Sequence, residues 1–101
     1  MNKAISMISL ATKAGKTVAG EFSVEKAIKE GKAKLVLVST EASDNTKKKF
    51  SDKSAYYNVP YFEYGTRSEL GLATGKGDRV SIAVLDDGFS NTIIKMLTDN
   101  K

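Results

Sequence analysis

The chain has no histidine and no cysteine. That removes the side chain best suited to proton transfer near neutral pH and the usual imidazole and thiolate metal ligands, and it rules out disulfides. Lysines, tyrosines and carboxylates remain. The acidic pair Asp86-Asp87 is followed by Gly88 and reads as a turn, not as an acid–base couple. Nothing marks one lysine or tyrosine for catalysis. The expectation is a protein that is not an enzyme and needs no cofactor or metal.

Several segments could bind rather than react. Gly15-Lys16-Thr17 has the ending of a phosphate-binding loop. That motif also needs an earlier glycine, where position 10 is leucine, and a preceding strand, where this segment follows helical periodicity. The nucleotide reading fails, leaving Lys16 as either a solvated lysine or a phosphate contact. Gly20-Glu21-Phe22-Ser23 opens a predicted helix. Backbone N–H groups and the positive dipole end at such a start suit a phosphate or an electronegative base edge. A plain helix start, with Glu21 complementing the dipole, is the alternative. Lys47-Lys48-Lys49 spread around most of a helical turn and cannot all face one ligand, so they read as a solvated face. Tyr56, Tyr57, Tyr61 and Tyr64 would suit base stacking, but a helix end and a short strand favour their partial burial.

Charge adds a direction. The formal net charge is +4, and it is unevenly placed. Residues 1–34 hold seven lysines against Glu21, Glu25 and Glu30, whereas residues 59–101 carry slightly more acid than base. Such asymmetry suits a face turned to phosphates. At 101 residues, 41% hydrophobic and 28% charged, the chain fits one compact domain over 1–101. The first residues are too polar for a signal-peptide core, and no apolar run reaches membrane-spanning length, so a cytoplasmic protein off the membrane is expected.

The elements that must carry these residues follow from periodicity and stop signals. Ile5, Ile8 and Ala11 predict a helix over 2–14, stopped by Gly15. A short extended piece covers Lys16 to Ala19. Val24, Ala27 and Ile28 predict a helix over 21–30, stopped by Gly31. Leu35-Val36-Leu37-Val38 predicts a strand buried on both faces. A third helix over about 43–57 is capped by Ser43 or Asp44, and Val59 to Glu63 forms a short strand. Thr66-Arg67-Ser68-Glu69 has capping-box spacing and opens a short helix ending at Gly75. Residues 79–85 predict a strand with Val80, Ile82 and Val84 inward. Ser90 caps a last helix, with Phe89 placed to staple onto Ile94. The order α-β-α-β-α-β-α-β-α predicts an α/β fold: a three-layer α/β/α sandwich around a four-stranded mixed sheet.

The residues Gly20, Lys26-Ala27-Ile28, Gly31 and Lys34-Leu35-Val36-Leu37-Val38, then Val59-Pro60-Tyr61, Glu69-Leu70-Gly71 and Gly75, together resemble a known family. It is that of the kink-turn-binding ribosomal proteins, typified by archaeal L-seven-Ae and eukaryotic L-thirty-e. Ala19-Gly20-Glu21, Asn45-Thr46 with Lys48-Lys49, Tyr56 to Tyr61 and Asp87-Gly88-Phe89 are most similar to its bacterial YlxQ-type branch. The resemblance runs over nearly the whole chain. It implies an α/β/α sandwich whose second helix enters the groove of a sharply bent RNA beside tandem G·A pairs. A loop before the last strand would cover an extruded nucleotide.

Position by position, Gly20 matches the glycine of the family's G-x-N-E motif, Lys26 the lysine one turn beyond, and Arg67 a basic residue before E-L-G. Lys76 to Arg79 match the second contact region. The family's asparagine and glutamate fall on Phe22 and Ser23, and its usually apolar second loop is here Lys76-Gly77-Asp78-Arg79. An asparagine amide pairs with a base edge, whereas phenylalanine can only stack or pack. RNA binding is therefore expected independently of kink-turn readout.

The leading expectation is a monomeric, ribosome-associated RNA-binding protein. Lys13, Lys16, Lys26, Lys76 and Arg79 would contact phosphates, Arg67 would assist, and the Gly20-Glu21-Phe22-Ser23 start would lie against RNA. A protein-interaction adaptor on the same scaffold, with an apolar patch around Phe22 and the tyrosines, is the alternative.

Overall fold

The computed structural model describes residues 2–99. Nine elements alternate along the chain: α1 (Lys3–Lys13), β1 (Thr17–Ala19), α2 (Glu21–Lys29), β2 (Leu35–Val38), α3 (Asp44–Tyr56), β3 (Tyr61–Glu63), α4 (Arg67–Ala73), β4 (Ser81–Val84) and α5 (Asp87–Thr98). The strands form one sheet in the order β1-β4-β2-β3. Pairing is antiparallel for β1 with β4 and for β2 with β4, and parallel for β2 with β3. The sheet is therefore mixed, with α3 as the crossover that parallel strands require.

The two central strands explain the layering. Leu35 and Leu37 join Ile82 and Val84 in one core with Ile5, Ile8, Leu70 and Ile93, from α1, α4 and α5. Val36, Val38 and Ala83 turn to the other face, against Val24 and Ile28 of α2 and Phe50 of α3. Alternation along a strand sends successive side chains to opposite faces, so a strand with helices on both sides must be apolar throughout. The edge strands β1 and β3 are shorter and less buried.

Two sequence expectations are corrected. Val80, Ile82 and Val84 do not share a face: Val80 packs with the α2–α3 core, and all four residues of β4 are buried. The last helix begins four residues earlier than expected. Asp86 is its cap, with extended backbone and a carboxylate accepting from the Phe89 N–H at 2.9 Å. Ser90 lies inside the helix, 1% exposed, so Phe89 is not positioned to staple onto Ile94. A carboxylate aimed at the first-turn N–H groups complements the dipole and tolerates Gly88 within that turn. The other helix starts follow expectation, including the complete box at Thr66 and Glu69.

Register sorts the loops onto two ends of the sheet. At one end the Gly20 N–H donates to Ser81 O (3.0 Å), Ser39 N–H to Val80 O (2.8 Å) and Tyr64 N–H to Val38 O (2.9 Å). At the other, Leu85 N–H donates to Lys16 O (2.8 Å), Lys34 N–H to Val84 O (2.7 Å) and Val36 N–H to Pro60 O (2.9 Å).

Candidate nucleic-acid interface

The first end carries the start of α2. Gly20 has φ 98° and ψ 152°, a conformation that a side chain disfavours, and it turns the chain directly from β1 into the helix. Having no side chain, it cannot cap. The first N–H groups of a helix have no intrahelical acceptor, so those at Glu21, Phe22 and Ser23 point out of the helix end with no cap to receive them.

Facing that start is the 76–79 loop, held in place by α4. The Lys76 N–H donates to Gly71 O at 2.9 Å and the Arg79 N–H to Arg67 O at 3.0 Å. A Cβ at Gly71 would sit 2.1 Å from the Gly77 carbonyl oxygen, so the loop lies where only glycine permits it. Arg67 also pairs with Asp78 at 3.4 Å, and its backbone N–H donates to Glu41 Oε1 at 2.9 Å. Arg67 thus braces the loop from one side.

Between helix start and loop lies a cleft of about 250 Å³, lined by Gly20, Glu21, Thr46, Phe50, Asp78, Arg79, Val80 and Ser81. Two of its polar atoms are buried without a hydrogen-bond partner: Ser81 Oγ and Arg79 Nε. Burying a donor unpaired costs about 1–3 kcal/mol; Ser54 Oγ and Ser90 Oγ are in the same state away from the cleft, whereas Ser81 and Arg79 line a space that an outside acceptor could enter. An uncapped helix start, a guanidinium N–H and a hydroxyl around one cleft make a site for an anionic or electronegative group.

The glutamates around this site are neutralised. Glu21 pairs with Lys49 at 2.8 Å, and Glu25 with Lys49 at 3.2 Å and Lys53 at 3.3 Å. The Lys49 hydrogen bond holds the Glu25 carboxyl below the usual carboxylate range. Donating to the Glu21 carboxylate, and next to that of Glu25, raises Lys49 above the usual lysine value. Lys48 instead meets Asp52 at 3.0 Å, and Lys47 meets Glu63 at 3.8 Å. The lysine run diverges as helical geometry requires, each member to its own partner. Tyr61 donates to Lys47 O (3.2 Å) and Glu63 (3.1 Å), and burial, with Glu63 beside it, pushes its phenol up.

The residues singled out in the sequence therefore divide. Gly20, Glu21 and Arg79 line one cleft, with Phe22 and Ser23 on the adjoining helix turn and Lys76 and Arg67 on the facing loop and α4. Lys26 is exposed on α2, one turn beyond Phe22. Lys13 and Lys16 are exposed near the opposite end of β1, where the strand places Lys16 about 13 Å from Gly20. The tyrosines divide as well. Tyr61 and Tyr64 are half-buried, but Tyr56 and Tyr57 are exposed, edge-to-face at 4.9 Å, against the expectation of partial burial. They close α3, Tyr56 as its last residue and Tyr57 as its C-cap, with Tyr56 the more exposed of the two.

Ser81 and Lys53 did not stand out in the sequence, and Thr46, Lys49 and Gly71 did so only within the family resemblance or the lysine run, with no place at the site assigned to them. Gly71 carried a local signal as well, a glycine inside a helix, which usually marks a close approach. A larger groove of about 750 Å³ lies between α1, α5 and β3, with Phe62, Tyr64, Met96 and Leu97 under a rim of Lys3, Lys95, Glu63 and Asp99. Of the residues weighed in the sequence for binding, it touches Tyr64 and none of those at the cleft. Among the described residues no group of acidic, histidine or cysteine side chains could hold a metal ion, and no helix is long and apolar enough to cross a membrane.

Comparison with known proteins places the fold and sequence together. Residues 2–94 match the Ribosomal protein L7Ae/L30e/S12e/Gadd45 family. The chain belongs to this family. It is 47% identical to the RNA-binding protein YlxQ of Bacillus subtilis (strain 168) over 91 residues, covering 90% of this chain and 91% of that protein. It is 39% identical to the large ribosomal subunit protein eL30 of Neurospora crassa over 88 residues, covering 85% and 81%. A solved protein of unknown function from Bacillus halodurans C superposes with a TM-score of 0.93 at 39% identity, covering 97% and 99%. The Giardia lamblia 15.5kD RNA binding protein shares the fold, with a TM-score of 0.80 at 18% identity over 94% of this chain and 82% of that one.

Proposed function

We propose that this protein is a non-catalytic RNA-binding protein, ribosome-associated and cytoplasmic, that docks as a monomer on structured RNA through the start of α2 and the 76–79 loop. The observation that carries this reading is the cleft where the uncapped Gly20 turn meets the unpartnered Arg79 Nε and Ser81 Oγ. Its relatives, named as RNA-binding and ribosomal proteins, support it.

In this reading the N–H groups of Glu21, Phe22 and Ser23 and the Arg79 side chain receive a phosphate or base edge. Lys26 and Lys76 neutralise flanking phosphates, and Arg67 keeps the loop in register through Asp78. Lys13 and Lys16 reach only an RNA long enough to extend past α2. A kink-turn is the finer target. Its sharp bend would let one strand enter the cleft while the other crosses the loop.

The test is a titration against a kink-turn RNA and a straight duplex of equal length between about 50 and 200 mM salt. Four neutralised phosphates would weaken binding roughly a hundredfold across that range, because each releases condensed counterions. Preference for the kink-turn supports the finer reading. Equal, salt-sensitive binding leaves RNA binding without it. Absence of binding to either RNA rejects the proposal and favours a protein-interaction adaptor.

A further inference from the structure

We infer that Phe22 is a platform on which an unpaired RNA base stacks, with the backbone beside that base running along α2 over Lys26 and Lys29. The inference rests on the RNA-binding reading and deepens it by naming what is recognised: a base displaced from its helix, taken by its face.

Phe22 sits in the first turn of α2 with 79% of its surface in water, among the most exposed of the large apolar side chains. It belongs to neither core, although Val24 in the same turn is fully buried. A phenyl ring has no donor or acceptor, so it cannot read the edge of a paired base. It offers a π-face, and every base has one to match.

The surroundings select a polyanion as the occupant. Phe22, Lys26 and Lys29 follow one another at helical spacings of four and three, which puts them on one outward stripe. The lysines lie about 6 and 10 Å from Phe22 along the axis. Both are exposed, and among the described residues neither is in an ion pair. The glutamates of the same segment are engaged elsewhere: Glu21 and Glu25 by Lys49 and Lys53, and Glu30 by Lys32 at 3.4 Å. The stripe therefore presents an aromatic face followed by two unpaired ammonium groups. That is the sequence of chemistry along an unstacked nucleotide and the phosphates beside it. An apolar protein surface would satisfy the ring and leave both lysines without partners.

The experiment crosses protein variants with RNA variants. The probe is an RNA stem interrupted by a three-nucleotide bulge, together with three copies made abasic at one bulge position each. Wild-type protein, Phe22→Ala, Phe22→Leu and Phe22→Trp are titrated against all of them. Phe22 is exposed and packs in no core, and circular dichroism checks that each variant is folded.

Loss of one stacked base by alanine substitution is expected to weaken binding roughly tenfold to a hundredfold. Phe22→Leu, which keeps apolar bulk without a π-system, should lose nearly as much, and Phe22→Trp should hold. One abasic position should weaken the wild type by the same factor while leaving Phe22→Ala indifferent. Equal affinity of wild type and Phe22→Ala for the bulged stem overturns the inference and assigns the ring to a protein partner. A loss of equal size on every abasic RNA also overturns it, because the ring then meets no particular base. In both cases RNA binding itself survives. Failure of the wild type to bind any of the RNAs removes the RNA-binding reading and this inference together.

Discussion

Among the described residues, four of the five helices begin on a side chain that closes their first turn, and one does not. Asn2 accepts from Ile5 N–H, Ser43 from Thr46 N–H, Thr66 from Glu69 N–H within a full capping box, and Asp86 from Phe89 N–H. The start of α2 has only Gly20. Glycine in place of a capping side chain costs only about a few tenths of a kcal/mol, so α2 leaves its first N–H groups open at little expense to the fold. It is also the start that opens onto a cleft holding two more unpartnered polar atoms. Capped starts end a helix within the protein's own hydrogen bonding; the open one leaves donors for a partner.

The sharpest way to break this contrast is Gly71→Ala. It leaves all five helix starts untouched and drives a methyl toward the Gly77 carbonyl, so the 76–79 loop must shift. Overpacking of this kind costs about 2–3 kcal/mol. RNA affinity should fall together with the urea midpoint; affinity unchanged in a folded variant would mean the loop does not face RNA.

Gly20→Ala comes next. Alanine is strained at φ 98°, at about 1–2 kcal/mol, and cannot supply a cap in exchange. Thermal unfolding should move down by roughly 5–10 °C, and filter binding should show weaker RNA capture because the helix start re-orients. Asp86→Ala makes the opposite comparison, removing a cap far from the cleft. About 1 kcal/mol of stability should go while RNA affinity stays, and a parallel loss of affinity would erase the distinction between the two kinds of helix start.

The smallest effect concerns charge. Glu25 has its pKa lowered chiefly by Lys49, so its contribution is complete above the ordinary glutamate value of 4.5 and is lost as pH falls through the lower folded value. The groups are partly exposed, which keeps the contribution within about 1 kcal/mol. Lys49→Met should flatten the acid limb of the stability profile. At neutral pH it should also weaken RNA binding, since Glu21 and half of the Glu25 pairing are released beside the phosphates. A steeper acid limb would contradict the assignment.

Much of the architecture was legible in local sequence, for identifiable reasons. Continuous Leu35 to Val38 pointed to a strand covered on both sides, and the spacing of Thr66 and Glu69 to a helix start. Local rules failed where two of them competed. Asp86-Asp87-Gly88 satisfies both a turn and an N-cap, and packing of Ser90 and Ile93 against the sheet side decided for the helix. Tyr56 and Tyr57 looked half-buried because aromatic residues at helix ends often are, but the last turn of α3 buries Ser54 and leaves both rings toward solvent. For the candidate interface, Gly20, Glu21 and Arg79 were within reach of sequence reasoning, whereas Ser81 was not. A serine opening a strand carries no mark of having lost its hydrogen-bond partner.

By itself the sequence determined which segments are helix and strand, that the sheet lies between two helical layers, and that the N-terminal third carries the excess positive charge. These follow from periodicity, turn residues and composition, all of which are local or additive. Tertiary structure alone decided which charges remain free. Strand register put Gly20 against Ser81 and sent Lys16 to the far end of the sheet, while packing of α2 on α3 tied Glu21 and Glu25 to Lys49 and Lys53. Charge neutralisation and unsatisfied hydrogen bonds are properties of pairs distant in the chain, so they exist only once the fold has brought those pairs together.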